Sequence, residues 1–521
     1  MSKYNLTLKD MYEKSLVSHG EKIAVKFGEE RLSYVELNKV ANRLAHALIH
    51  SEITPGDPVA LMMSNCIEFI ISDIAIIKAG ASKVPLNNML SEKEVLYMLK
   101  DSEAKAIIIG PEFYDMINHI RKDLPCLEVV IGLGKSQVTG IISWNQFLID
   151  TPETTPVVDV KSSDLASIGY TGGTTGLPKG IVQTQQNLTM NLISHLIELD
   201  IVEQDRILLM SPLPHAAGKF CQVGLLTGAT HIITDNFNSL KALQLIEKER
   251  ITVTFMVPTM IYRLLDTAEG QKFDLASIKT IAYAAAPILE DRLKQGLEMF
   301  GPVFFQFYGQ SECPNLIARL RKSDHSIEPN KIHLLRSCGS PTLMAEVKIV
   351  DEAGIEVAQG EKGEIIVKSP YVMERYHNMP KKTAETIVNN WLYTGDIGKM
   401  DQEGYIYLLD RKNDMIISGG MNVYSTEVEN AIQQCPGVGQ VAVLGIPHHD
   451  WGEQVLALII PKSDNPALKE DIVQFCKKNL ANYKQPKEIE FVSEFPLTTY
   501  GKIDKKKMRI PYWEDKNRVI N

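Results

Sequence analysis

The sequence predicts an α/β protein, with a large N-terminal domain of layered α/β sheets and a small C-terminal α+β domain. Short apolar runs alternate with amphipathic segments through most of the chain, as strands and helices do around largely parallel sheets. The texture then breaks at the charged run Leu408-Leu409-Asp410-Arg411-Lys412-Asn413-Asp414. The chain beyond that break is the size of a small domain and has its own helix and strand patterns. The expected division is therefore 1–410 and 411–521.

Ser33-x-x-Glu36 is a capping box, and Leu37, Val40, Ala41, Leu44 and Leu48 follow at helical spacing. Val59 to Met63 reads as a buried strand. Ser91-x-x-Glu94 repeats the cap before the strand-like run Ala106 to Ile109. In the C-terminal part Thr426-x-x-Glu429 is read as a cap. Val441 to Leu444 and Val455 to Ile460 read as strands, and Leu468 to Leu480 as a helix. Residues from Pro511 on are expected to form a surface tail, and Lys505 to Lys507 a solvated charge run. No internal repeat or low-complexity segment interrupts the pattern.

Of the 521 residues, 44% are hydrophobic and 23% charged, and the net charge is -9. That balance suits a soluble globular chain and lacks the basic excess of a general nucleic-acid binder. The 7 cysteines are scattered, odd in number and without a C-x-x-C pair, as expected for reduced thiols in the cytoplasm. The N-terminus has no signal-peptide pattern. The most apolar stretch, Phe69 to Ala81, contains Asp73 and Lys78 and is too short and polar to span a bilayer.

The most informative run is Tyr170-Thr171-Gly172-Gly173-Thr174-Thr175-Gly176-Leu177-Pro178-Lys179-Gly180, after the strand-like Leu165 to Ile168. Its glycines let backbone N–H groups approach an anion, its threonines add hydroxyl donors, and Lys179 adds positive charge. It is a polyphosphate cradle but not a Walker A loop, because Gly180 follows Lys179 where that pattern needs Ser or Thr.

The run resembles the signature loop of the adenylate-forming (AMP-binding) superfamily, which includes acyl-CoA synthetases, peptide-synthetase adenylation domains and luciferases. The resemblance covers essentially the whole chain, since the other signatures occur in the family's order. In Tyr308-Gly309-Gln310-Ser311-Glu312, a ring can face a purine, a hydroxyl can hold phosphate and a carboxylate can ligate Mg²⁺. The resemblance implies that Tyr308 packs on adenine, Ser311 (usually Thr) contacts phosphate and Glu312 orders Mg²⁺. Ala284-Ala285-Ala286-Pro287 is similar to the small-residue segment beside adenine, where the family commonly has Gly-Gly-Ala-Pro. A tightly packed core turn is an equal reading. Asp396 of Tyr393-Thr394-Gly395-Asp396 is the ribose carboxylate by resemblance. Arg411 matches an arginine that reaches ribose or phosphate, and Asn413 stands at the hinge pivot, usually Asp or Lys.

Gly419 and Gly420 of Ser418-Gly419-Gly420-Met421 allow close passage of pantetheine, or form a plain turn. Lys502 of Thr499-Tyr500-Gly501-Lys502 matches the catalytic lysine. His215 of Pro212-Leu213-Pro214-His215 matches a residue lining the acid pocket, with Lys219 four residues on.

The resemblance implies an acid–thiol ligase of the AMP-forming type. ATP activates a carboxylic acid as acyl-AMP with release of pyrophosphate, and the thiol of coenzyme A then displaces AMP as the mobile small domain rotates. Mg²⁺, ATP and CoA are the implied cofactor and co-substrates, and fatty acid metabolism is one setting. Two alternatives remain: a ligase loading a carrier-protein thiol, and a non-catalytic nucleotide sensor. The acid stays open among fatty, aromatic and short branched classes, as does assembly as a homodimer.

Overall fold

The computed structural model describes residues 6–134, 138–171, 178–286, 288–411, 414–418, 421–463, 465–498 and 503–513. Two compact units emerge. The first holds the chain up to Thr171, Pro178–Val347 and Val367–Leu392; the second holds Lys348–Ile366 and the chain from Tyr393. The second unit thus takes in residues on the N-terminal side of 411.

Two sheets build the first unit. One runs, neighbour to neighbour, through Ser340–Pro341, Cys313–Leu320, Phe304–Gln310, Thr280–Tyr283, Val253–Met256, Arg206–Leu209, Thr230–Ile233, Ile23–Phe27 and Glu30–Ser33. Its strands from Phe304–Gln310 to Ile23–Phe27 are parallel. The other runs through Arg375–Tyr376, Gly180–Thr184, Leu165–Tyr170, Ser82–Pro85, Pro58–Met62, Ala106–Ile109, Val129–Gly132 and Ile142–Ser143. Parallel strands need crossovers, and the intervening segments supply them as helices.

Both capping boxes form. Ser33 and Ser91 each accept from the backbone of the glutamate three residues on, and each glutamate accepts in return. The apolar stretch at Phe69 is the helix Ile67–Lys78, buried on nearly every side. Ala106–Ile109 is fully buried, and alternate residues Ile107 and Ile109 pack on Val95, Met98 and Leu99 of the helix Glu92–Asp101. Each such side chain contributes roughly 1.5–3 kcal/mol by leaving water. Among the described residues no helix is long and apolar enough to cross a membrane.

In the second unit Val438–His448 and Gly452–Pro461 form a long antiparallel pair, with Glu488–Phe491 parallel to the latter. Alternation divides their side chains between two cores. Val441 and Val443 face Val428, Ile432, Leu468 and Ile472 of two helices; Ala442 and Leu444 face Phe495 and Met508.

Three expectations are corrected here. Thr426 does not cap, because the helix Ser425–Gln433 already starts before it. Glu429 instead accepts from the backbone N–H of Val443 at 2.7 Å and pairs with Lys505 at 2.7 Å. Lys505 is therefore an ion-pair member rather than part of a solvated run. Pro511 and Tyr512 belong to the helix Lys505–Trp513 rather than a tail, and the Trp513 indole donates to the carbonyl of Gly445 at 3.2 Å.

Candidate active site

Four neighbouring parallel strands, Arg206–Leu209, Val253–Met256, Thr280–Tyr283 and Phe304–Gln310, end on one edge of the first sheet. Their C-terminal ends lead into Pro212–His215, Val257, Ala284–Ala286 and Tyr308–Glu312 respectively. Ligands of α/β folds bind at the carboxyl ends of parallel strands, so the topology gathers segments widely spaced in sequence.

The Tyr308 motif closes a tight hairpin. Gln310 pairs with Cys313, leaving Ser311 and Glu312 as its two turn residues. Ser311 is exposed and Glu312 buried. Gly309 is required: a Cβ there would lie 2.6 Å from the backbone of Asn315, which itself sits at φ 65°. Tyr308, on the strand, is only 7% exposed. Ala285 adopts φ 78°, left-handed backbone that suits glycine, while Ala285 and Ala286 are both exposed.

On the second sheet, Leu165–Tyr170 and Gly180–Thr184 pair antiparallel, with Tyr170 opposite Gly180. Thr171 N–H donates to the Lys179 carbonyl at 3.1 Å, and Lys179 N–H donates to Thr171 Oγ1 at 3.3 Å. Gly172, Gly173, Thr174, Thr175 and Gly176 lie outside the described residues, as do Pro287, Asn413, Gly419, Gly420 and Lys502.

Lys179 and Glu312 are joined through Tyr376, which the sequence reading missed. The Tyr376 hydroxyl donates to Glu312 Oε1 at 2.6 Å. Lys179 Nζ is 3.5 Å from the same hydroxyl and 4.6 Å from the ring centroid. Tyr376 gets there because Arg375–Tyr376 adds to the sheet beside Gly180–Thr184. His377 N–H donates to the Gly180 carbonyl at 2.7 Å, and a Cβ on Gly180 would lie 2.9 Å from that of His377. Nothing in Arg375-Tyr376-His377 marks it as a site; only the strand pairing does.

Burial lowers the pKa of Lys179; Glu312 opposes the shift and Lys382 adds to it. Burial likewise raises the Tyr376 phenol, with the Glu312 charge second. Among the described residues Lys179 and Glu312 make no direct ion pair, so each charge is only partly compensated by the other.

His215 precedes the helix Ala216–Thr227, and its Nε2 accepts from Asn87 Nδ2 at 2.8 Å. Asp396 and Arg411 lie in the second unit, opposite each other on the ribbon Trp391–Met400 and Ile406–Arg411, with Nε and Oδ1 3.5 Å apart. The Thr394 hydroxyl accepts from Asp396 N–H at 3.0 Å and donates to the Ile365 carbonyl at 2.6 Å, which fixes the turn.

The profile of the AMP-binding enzyme family matches residues 12–377, and that of its C-terminal domain matches 427–502. The chain belongs to the AMP-binding enzyme family. Relatives of this AMP-binding enzyme include the medium/long-chain-fatty-acid–CoA ligase FadD8 of Mycobacterium tuberculosis, 33% identical over 97% of this chain and 90% of the relative. A feruloyl-CoA synthase of Amycolatopsis is 34% identical over 93% and 95%. The crystal structure of the anthranilate CoA ligase AuaEII with anthranoyl-AMP superposes with TM-score 0.89 at 28% identity, covering 98% of each chain. This AMP-binding enzyme is an ATP-dependent carboxylic acid–CoA ligase that forms an acyl-AMP intermediate.

Proposed function

We propose that adenylation uses the strand-end segments of the first unit, each in its own role. Lys179 and the Thr171 loop hold the polyphosphate of ATP. Tyr308, Ala285 and Ala286 border adenine, Gly309, Gln310 and Ser311 shape the nucleotide side, and His215 orients the acid. Asp396 and Arg411 serve ribose, Gly419 and Gly420 line the thiol path, and Lys502 neutralises charge at the reacting oxygens. The observation that carries this reading is the Lys179–Tyr376–Glu312 chain, in which one phenol couples a cation to a buried carboxylate.

Glu312 fits Mg²⁺. Its Oε1 is held by Tyr376, its other oxygen makes no hydrogen bond among the described residues, and a carboxylate oxygen is a hard donor. Mg²⁺ keeps waters and substrate phosphates as its other ligands, so one carboxylate suffices; when bound it offsets phosphate charge.

A carboxylate must attack an already negative α-phosphate, so fixed positive charge and alignment supply the catalysis. In the second half-reaction a thiolate attacks the acyl carbonyl and AMP leaves. The domain boundary is placed at 410/411, with Asn413 as pivot. The seven cysteines are all free, which supports action in the cytoplasm. Free coenzyme A is the acceptor and the acid is a small molecule; a homodimer is a further proposal.

The test is Lys502→Ala. Acid-dependent pyrophosphate exchange should vanish while thioester formation from supplied acyl-adenylate persists. Equal loss of both half-reactions would refute the division of labour.

A further inference from the structure

The helix Ala216–Thr227, which starts just after His215, carries Lys219 and Gln222. Lys219 and Gln222, three residues apart within it, share one helix face, and Lys219 stands in the first turn after His215. Only Ala216, Ala217 and Gly218 stand between His215 and Lys219.

Lys219 is partly buried and, among the described residues, makes no hydrogen bond or ion pair. The charges facing it are Lys83 and Asp73. Asp73 is already taken: one oxygen pairs with Lys83 and the other accepts from Gln222 Nε2 at 2.8 Å. Gln222 is 4% exposed, and its Oε1 has no partner among the described residues. The interior thus holds two ammonium groups against one carboxylate, beside a buried amide with an unused acceptor. One negative charge is missing. A hydrocarbon chain laid here would leave the Lys219 ammonium and the Gln222 oxygen desolvated and unpaired.

We propose that Lys219 is a specificity-determining residue and that the preferred acid is a short dicarboxylic acid. One carboxylate is activated beside His215, and the second, ionised, pairs with Lys219. The two recognition points stand four residues apart at the start of the helix, which suits a short chain. The proposal rests on the acid–CoA ligase reading. Burial holds the free Lys219 amine at about 7, so an arriving carboxylate would also restore its full charge.

The experiment uses the full chain with ATP and Mg²⁺ and measures acid-dependent pyrophosphate exchange for glutarate against pentanoate and adipate against hexanoate. In the wild type, kcat/KM should favour the dicarboxylates by about 10- to 100-fold, the scale of one charge-assisted hydrogen bond. Lys219→Met, which fills similar volume, should reverse the preference, and Lys219→Arg should keep it. Equal or better use of the monocarboxylates by the wild type would overturn the proposal, as would a ratio unchanged in Lys219→Met or exchange with an aromatic acid alone. Each of those outcomes leaves the ligase reading standing, because exchange occurs. Exchange with no carboxylic acid at all would instead sink the ligase reading and the inference with it.

Discussion

The phenol of Tyr376 donates to Glu312 Oε1 at 2.6 Å while its ring lies beneath Lys179 Nζ at 4.6 Å. One side chain therefore holds both the acidic and the basic member of the proposed nucleotide site, through two different parts of its structure. Tyr376→Phe separates them. The ring contact survives and the hydrogen bond to a charged acceptor goes, a loss of about 1.5–3 kcal/mol. Urea unfolding should show that loss. Pyrophosphate exchange should fall about tenfold or more while the CD spectrum is kept.

Gly309→Ala should be more damaging than its chemistry suggests. The new Cβ would meet the Asn315 backbone at 2.6 Å, and backbone cannot swing aside. Relief requires opening the hairpin whose turn is Ser311-Glu312. The expected cost is about 1–3 kcal/mol in a melting or urea experiment, with near-complete loss of adenylation.

Ala285→Gly should have the opposite sign. Alanine at φ 78° is strained, and glycine is not. The variant should gain about 1 kcal/mol in urea unfolding, since the αL strain of an L-residue, about 1–2 kcal/mol, exceeds the entropic cost of glycine.

Stability should fall on acidification. His195, His231 and His325 are fully buried, and desolvation lowers their pKa values to about 3, about 4 and about 4. Backbone carbonyl partners at Asn191, Ala24 and Arg321 oppose those shifts. Below the ordinary value of 6.5 the unfolded chain binds protons that the folded chain refuses, so the unfolding free energy drops as pH falls. The drop starts near 6.5 and ends once the folded histidines protonate, near 4 for two and near 3 for His195. Each histidine contributes at most about 1.4 kcal/mol per pH unit in that window. Urea titrations across pH 4–7 measure the slope, and His231→Gln should reduce it.

Much of the architecture was legible because it is local. Ser33 and Ser91 announce helices through their own glutamates, and Ala106–Ile109 is apolar enough to be a buried strand wherever it lies. Thr426-x-x-Glu429 carries the same letters and fails, because the helix starts before Thr426 and Glu429 is engaged by Lys505 and the Val443 backbone. Those partners are remote in sequence, and no local pattern reveals them. The site divides in the same way. Lys179 and Glu312 stand in recognisable motifs, while Tyr376 reaches them only when Arg375–Tyr376 joins a sheet edge.

Glu312→Gln bears most directly on the central claim, that this buried carboxylate works in ATP chemistry rather than in packing. Glutamine keeps the volume and an acceptor for Tyr376, removes the charge and turns the second oxygen into a donor. The expected result is an unchanged melting curve, pyrophosphate exchange reduced by about 100-fold or more, and retained thioester formation from supplied acyl-adenylate. Wild-type exchange in Glu312→Gln, or equal loss of both half-reactions, would contradict it.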